Sequence, residues 1–202
     1  MFKTIVTLSV VVGVLVLGAA QTAANPIPLV GAINPYVDIE GTDYIIGNPE
    51  GIVKIYIFLD WYAPVGPWAA VTFSAPKPSC FNAELLGEEV YFDLTLGNTQ
   101  TGLAIALGGC LMPRVLLAKL TYEAVGSLAC CHYPMCPGNL SISGEIELVR
   151  CNEEIVLGAG GTLVLNTDTY PCEDSNPHPC APGQPVPVEA STWGKVKSLY
   201  AQ

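Results

Sequence analysis

Apolar and polar residues alternate along most of this chain. In one stretch Val53, Ile55, Ile57 and Leu59 alternate with Lys54, Tyr56, Phe58 and Asp60; in another Val90, Phe92, Leu94 and Leu96 alternate with Glu89, Tyr91, Asp93 and Thr95. A period of two places successive side chains on opposite faces of an extended chain, so it predicts strands. Further stretches of this kind lie at residues 33–39, 69–74, 102–107, 115–122, 141–149 and 161–166. Turn residues separate them, as in Ala63-Pro64-Val65-Gly66-Pro67, Gly97-Asn98, Pro137-Gly138-Asn139 and Gly158-Ala159-Gly160-Gly161. Short strands at this spacing, with no helical period between them, predict an all-β sandwich that buries the apolar set of each strand and leaves the polar set in water.

The first residues follow a different pattern. Lys3 precedes an apolar run that ends in Gly18-Ala19-Ala20, ahead of the polar Gln21. That order is the signature of a cleavable export signal over residues 1–24, with small residues that fit cleavage after Ala20 or after Ala24. A membrane span needs about 20 apolar residues, and no later stretch reaches that length. The sandwich domain is expected over residues 25–172, followed by a Pro-rich linker at 173–190. The last residues, 191–202, set Trp193, Val196 and Tyr200 at helix-like spacing beside Lys195 and Lys197. They read as a docking or sorting segment, or as a tail that folds back on the sandwich.

Charge narrows the partners. The chain carries −10 in all, and about −11 once the signal is removed, because Lys3 is the signal's only charged residue. Nucleic acid and anionic membrane surfaces both call for a basic face, so neither is expected as a partner. Eight cysteines, Cys80, Cys110, Cys130, Cys131, Cys136, Cys151, Cys172 and Cys180, all follow the signal. An even number in an exported chain reads as disulfides. Cys80 is expected to pair with Cys110 across a strand and its return. Adjacent Cys130 and Cys131 are expected to hold different partners, among them Cys151 and Cys172.

Chemistry is thinly supplied. His132 and His178 are the only histidines; neither has the helical partner of a zinc protease, and no Gly-x-Ser-x-Gly elbow is present. Cys130-Cys131-His132 with Cys136, and Cys172 with His178 and Cys180, offer soft ligands without the repeated Cys-x2-4-Cys spacing of structural zinc. Asp38-Ile39-Glu40-Gly41-Thr42-Asp43 reads as a solvated turn or a calcium-holding loop. The pairs Glu88-Glu89, Glu145/Glu147 and Glu153-Glu154 read as solvated faces rather than the paired carboxyls of a glycosidase. Gly158 to Gly161 read as a turn, and no residue set calls for a cofactor. Trp61, Tyr62 and Trp68 surround a rigid Pro-Gly loop, where aromatic rings either stack on a sugar, anchor a protein partner, or brace the end of the core.

Several motifs together resemble a family of secreted, cysteine-rich β-sandwich proteins of unknown function from uncultivated bacteria. They are Phe73-Ser74-Ala75-Pro76 leading to Cys80, Gly97-Asn98-Thr99-Gln100-Thr101-Gly102 leading to Cys110, Cys130-Cys131-His132-Tyr133, Gly144 to Cys151, and the terminal Thr192-Trp193-Gly194-Lys195-Val196-Lys197-Ser198-Leu199-Tyr200. Cys136 and Cys180 stand outside that pattern, which implies that they bridge each other. The order of strands is also similar to cohesin-like and immunoglobulin-like sandwiches. That likeness implies about nine antiparallel strands and carries no ligand with it. The expectation is a non-catalytic module, secreted or held at the cell surface, whose partner is a cell-surface protein or polysaccharide; a carbohydrate-binding domain is the alternative, and a hydrolase the least supported reading.

Overall fold

The computed structural model describes residues 31–61, 67–112 and 114–167. All regular structure among them is β. The strands are β1 (Gly31–Tyr36), β2 (Ile45–Ile46), β3 (Gly51–Trp61), β4 (Trp68–Phe73), β5 (Phe81–Val90), β6 (Leu94–Asn98), β7 (Gly102–Leu111), β8 (Val115–Ser127), β9 (Cys131–Pro134), β10 (Ile146–Arg150), β11 (Ile155–Gly160) and β12 (Thr162–Leu165). Nine of them form one sheet in the order β5-β8-β3-β1-β11-β10-β4-β7-β6, and β2-β12-β9 form a second.

The nine-stranded sheet folds over on itself. Ile55, Ile57 and Leu59 of β3 and Leu120 and Tyr122 of β8 share one buried cluster with Val71 and Phe73 of β4, Leu103 and Ile105 of β7, and Leu148 of β10. The two halves of the sheet thus face each other across a common core, the two-layer solution for sheets with one apolar face. Each fully buried aliphatic or aromatic side chain contributes about 1.5–3 kcal/mol. In β8 the alternation is clean, with Leu120, Tyr122 and Ala124 buried and Glu123 and Val125 exposed. A bulge opposite Ile57 and Phe58 interrupts it, so that Leu117 and Ala118 both reach the core.

The pairing is mostly antiparallel, with two parallel contacts, β1 with β11 and β2 with β12. The first joins the two halves, and it corrects the reading of Gly158 to Gly161 as a turn, since Gly158 and Gly160 lie inside β11. A Cβ on Gly158 would come within 3.0–3.1 Å of Leu148 and Ile146. Close approach to the core, not a turn, requires glycine there.

Three other expectations change. The alternating run at residues 89–96 is not one strand: it breaks after Val90, and the chain crosses from β5, at one end of the nine-stranded order, to β6 at the other. The crossing resets the face, so Leu94 and Leu96, expected inside, point outward and are exposed. Residues 81–88, where no strand is expected, form most of β5; bulges at Asn82/Ala83 and Leu85/Gly87 erase the period of two that would have revealed it. The run at 141–149 becomes strand only from Ile146, as β10 (Ile146–Arg150).

The disulfides correct the expected Cys80–Cys110 pair. Cys80 bonds Cys131, with Cα atoms 5.6 Å apart, and Cys110 bonds Cys151 at 5.8 Å. Cys80 precedes β5 and bonds Cys131 of β9 in the smaller sheet, whereas Cys110 lies on β7 and bonds Cys151 just after β10, both in the other half of the nine-stranded sheet. Cys151 therefore does not serve Cys130 or Cys131. Cys130, in the left-handed region at φ 53°, turns the chain ahead of Cys131; it and Cys136 are also disulfide-bonded. Cys172 and Cys180 lie outside the described residues.

Candidate interaction surface

The outer face of β6-β7-β4-β10-β11 is built from two rows of register-paired residues. One row runs Leu96, Ala104, Thr72, Glu147, Leu157; the next runs Leu94, Ala106, Ala70, Val149, Ile155. Their strand neighbours of opposite parity, such as Ile105, Val71 and Leu148, fill the core, so these rows form the opposite face. Glu147 is the one ionisable residue in either row. Leu94, Leu96 and Ile155 are 40%, 42% and 47% exposed at the margins. The central Ala70, Thr72 and Ala106 are small and recessed.

Glu147, expected on a solvated face with Glu145, is instead buried. Its Oε1 accepts the main-chain N–H groups of Ile142 (3.0 Å) and Ser143 (2.7 Å). Ser141 Oγ donates to Glu145 O at 2.6 Å and closes the same loop. The loop therefore folds over the sheet and holds the exposed Ile142 above this face. Glu147 Oε2 and Thr72 Oγ1, on paired residues, are buried with no hydrogen-bond partner. Buried polar atoms of this kind are uncommon, and these two lie together at the centre of the face.

The outer face of β5-β8-β3-β1 mixes charged side chains with exposed Ile52 and Val125. Lys119 pairs with Glu89, and Glu84 lies opposite Glu123. At its upper end Asp60 accepts from Asn34 Nδ2 and Tyr36 Oη, both at 2.7 Å, and meets Arg114 Nε at 3.1 Å. The Arg114 guanidinium lies 4.7 Å from the ring centres of both Tyr36 and Phe58. It also donates to the carbonyls of Glu40 (3.0 Å) and Gly41. Burial, then the bond to Asp60, push the Tyr36 phenol up to about 12.

That contact organises the acidic loop. Asp38 accepts from the Thr42 hydroxyl and from the N–H groups of Thr42 (2.8 Å) and Asp43 (3.2 Å), and the Thr42 bond leads in holding its carboxyl below the ordinary value. Gly41 takes φ +65° directly under Arg114, where a Cβ would strike the guanidinium. The loop is thus a self-bonded turn clamped by arginine. Among the described residues, no three His, Cys, Asp or Glu side chains converge on a metal position.

The remaining expected residues separate. Trp68 is fully buried in the core, not presented to a ligand; a Cβ on Gly31 would come within 3.3 Å of its indole. Trp61 ends β3 opposite Gly31, but its side chain and Tyr62 lie outside the described residues, as do His178, Trp193, Val196 and Tyr200. His132 is in β9 opposite Val164. The carboxylate pairs disperse: Glu88 binds Thr99, Glu89 meets Lys119, and Glu154 meets Arg150. Sequence reading missed an open groove of about 450 Å³ beside β3, lined by Val37, Ile46, Pro49, Ile52, Lys54 and Tyr56. It also missed the apolar outer face, whose only sequence signal is the absence of Asp, Glu, Lys and Arg from residues 94–113.

No family model matches the chain, and no curated protein matches it. Among solved structures it is similar to the cohesin of the Coh-OlpC type I cohesin–dockerin complex from Clostridium thermocellum, at 12% identity and a TM-score of 0.46, over 70% of this chain and 97% of that one. It is similar to a non-cellulosomal cohesin from the archaeon Archaeoglobus fulgidus, at 13% identity and a TM-score of 0.42, over 69% and 94%. A third similar structure is the seventh ScaB type I cohesin from Pseudobacteroides cellulosolvens, at 14% and 0.40, over 74% and 99%. The chain is thus an all-β, disulfide-bonded protein whose structural neighbours are cohesin modules at low sequence identity.

Proposed function

We infer that this chain is a non-catalytic protein-binding module that works outside the cell or on its surface. The observation that carries this reading is the asymmetry of the two outer faces. One sets Lys119, Glu84, Glu89 and Glu123 beside exposed Ile52 and Val125, while the other has Glu147 as the one ionisable residue of its rows and presents Leu94, Leu96, Ile142 and Ile155 around recessed small residues. Exposed apolar surface of this kind, on a chain otherwise acidic, is favourable only when a partner removes it from water. The bridges Cys80–Cys131 and Cys110–Cys151 support an oxidising compartment, in keeping with an export signal at residues 1–24. Residues 25–172 form the module in this reading, the 173–190 linker extends it, and residues 191–202, with Trp193, Val196 and Tyr200, attach it to the surface.

Site-specific photo-crosslinking on cells that export the chain tests the face. A benzophenone amino acid at Ile142 or Ile155 is expected to yield a protein adduct, and one at Glu123 on the charged face is expected to yield none. Equal adduct from both faces would reject the reading. Deletion of residues 191–202 tests attachment separately, with the expected outcome that the chain moves from the cell surface to the medium; unchanged retention overturns that part.

A further inference from the structure

We propose that residues 172–180 form a covalent strap along β9, tied at one end by a Cys130–Cys172 bridge and at the other by Cys136–Cys180. The strap fixes the point from which the C-terminal segment leaves the module. This connectivity goes beyond the surface-attachment reading and is independent of it.

Cys130 and Cys136 are both disulfide-bonded, and the Cys80–Cys131 and Cys110–Cys151 bridges occupy four other cysteines. Cys130 and Cys136 do not bond each other, because the chain between them is extended. Cys130 N–H donates to Asn166 O and Met135 N–H to Gly161 O, both at 2.9 Å, and β9 runs between in register with β12. Six steps along such a chain set the two Cα atoms about 20 Å apart. A disulfide needs them within about 7 Å. Cys172 and Cys180 are the cysteines that remain.

Chain reach selects the pairing. β12 runs toward Cys130, so that Asn166 ends opposite it, with Cys136 at the far end of β9. Cys172, six residues past Asn166, closes a short loop onto Cys130, the less costly closure. The alternative would send the chain back along β9 to reach Cys136 by residue 172 and return it to Cys130 by residue 180. The proposed pairing needs one pass. The eight steps from Cys172 to Cys180 include Pro177 and Pro179, and a Pro-rich segment spans about 3.1 Å per residue, about 25 Å in all, enough to follow β9.

Burial on β9 agrees. Among the described residues no strand lies beyond β9 in the order β2-β12-β9, and covering such an edge is one way to protect it. Cys131, Tyr133 and Met135 enter the core. Pro134 and Cys136 have the opposite parity, yet Pro134 is buried and Cys136 is only 4% exposed. A strap along the strand accounts for both. Cys136 also bridges Ser74, just after β4, so a pull on residues 181–202 enters the fold there and bypasses β12.

Thiol titration of the full exported chain, denatured without reductant, tests the pairing. The wild type is expected to show no free thiol. The double variant Cys136→Ser with Cys180→Ser removes one whole bridge and is expected to show none either. Cys130→Ser with Cys180→Ser breaks both bridges and is expected to leave Cys136 and Cys172 titratable. The reverse result, or free thiol in the wild type, overturns the connectivity. A second measurement keeps every native cysteine. A site-specific protease sequence inserted between Ser175 and Asn176 is cut, and the C-terminal fragment is expected to stay with the body in denaturant and to leave only on reduction. Its loss without reductant overturns the strap. Unchanged surface retention after deletion of residues 191–202 would reject attachment and would move neither of these readouts.

Discussion

The hydroxyl oxygens of Tyr122 and Tyr133 lie 2.7 Å apart inside the core. Tyr133 Oη donates to Ala75 O at 2.8 Å, so its oxygen accepts from Tyr122. Gln100 Nε2 donates in turn to Tyr122 Oη at 3.3 Å and to Ala75 O at 3.1 Å. The two rings pack edge to face, each also against Phe81, beside the Cys80–Cys131 bridge. One directed chain of hydrogen bonds therefore ties β8 and β9 to the segment after β4. We predict that Tyr133→Phe costs about 1–3 kcal/mol, because it strips Tyr122 of its acceptor and Ala75 O of one donor. Tyr122→Phe is expected to cost less. Urea unfolding of both single variants and the double variant should give a coupling energy of about 0.5–3 kcal/mol; additive costs would contradict the chain.

Arg114 holds a turn and a sheet face at once. Lysine keeps the charge but loses the planar fork that reaches Asp60 Oδ1 and two loop carbonyls while lying on Tyr36 and Phe58. Arg114→Lys is expected to speed amide hydrogen exchange at Gly41 and Thr42, with a global loss of about 1 kcal/mol or less, since the pair is partly exposed. Unchanged exchange in that loop would show that the arginine does not clamp it.

Alkaline pH should destabilise the fold. Tyr36 is pushed up to about 12 from an ordinary 10.0, and burial raises Tyr122 and Tyr133 as well. A folded value above the unfolded one means that the native state keeps its protons longer. The stability from Tyr36 is therefore fully present below about pH 10 and is lost as pH rises toward 12. Denaturation midpoints across that window are expected to fall for the wild type and to fall less steeply for Tyr36→Phe.

The bridges yield a direct chemical test. Peptide mapping without reduction should recover Cys80 joined to Cys131 and Cys110 joined to Cys151, and no Cys80–Cys110 peptide. Replacing both Cys110 and Cys151 by alanine is expected to cost about 2–5 kcal/mol, read as a lower thermal midpoint.

Much of the fold is legible before any coordinates. Val53, Ile55, Ile57 and Leu59 announce β3 because one wet face and one dry face impose a period of two, and the same rule exposes β4, β7 and β8. The all-β class follows from local chemistry of this kind. What depends on register or on distant partners is not legible. Bulges hide β5, and a crossing from one end of the sheet to the other turns Leu94 and Leu96 outward without changing the pattern they show in sequence. Trp68 has the composition of a binding loop, yet the curl of the sheet places it in the core. Glu147 has the composition of a solvated strand, yet a loop folds over it. Which cysteines meet depends on which strands the fold brings together from 41 and 51 residues apart in the chain. Sequence alone determined the alternation that makes strands, since that is a property of neighbours along the chain. The tertiary structure decided which face each alternation presents, because a sheet folded on itself sets inside and outside through contacts between residues far apart.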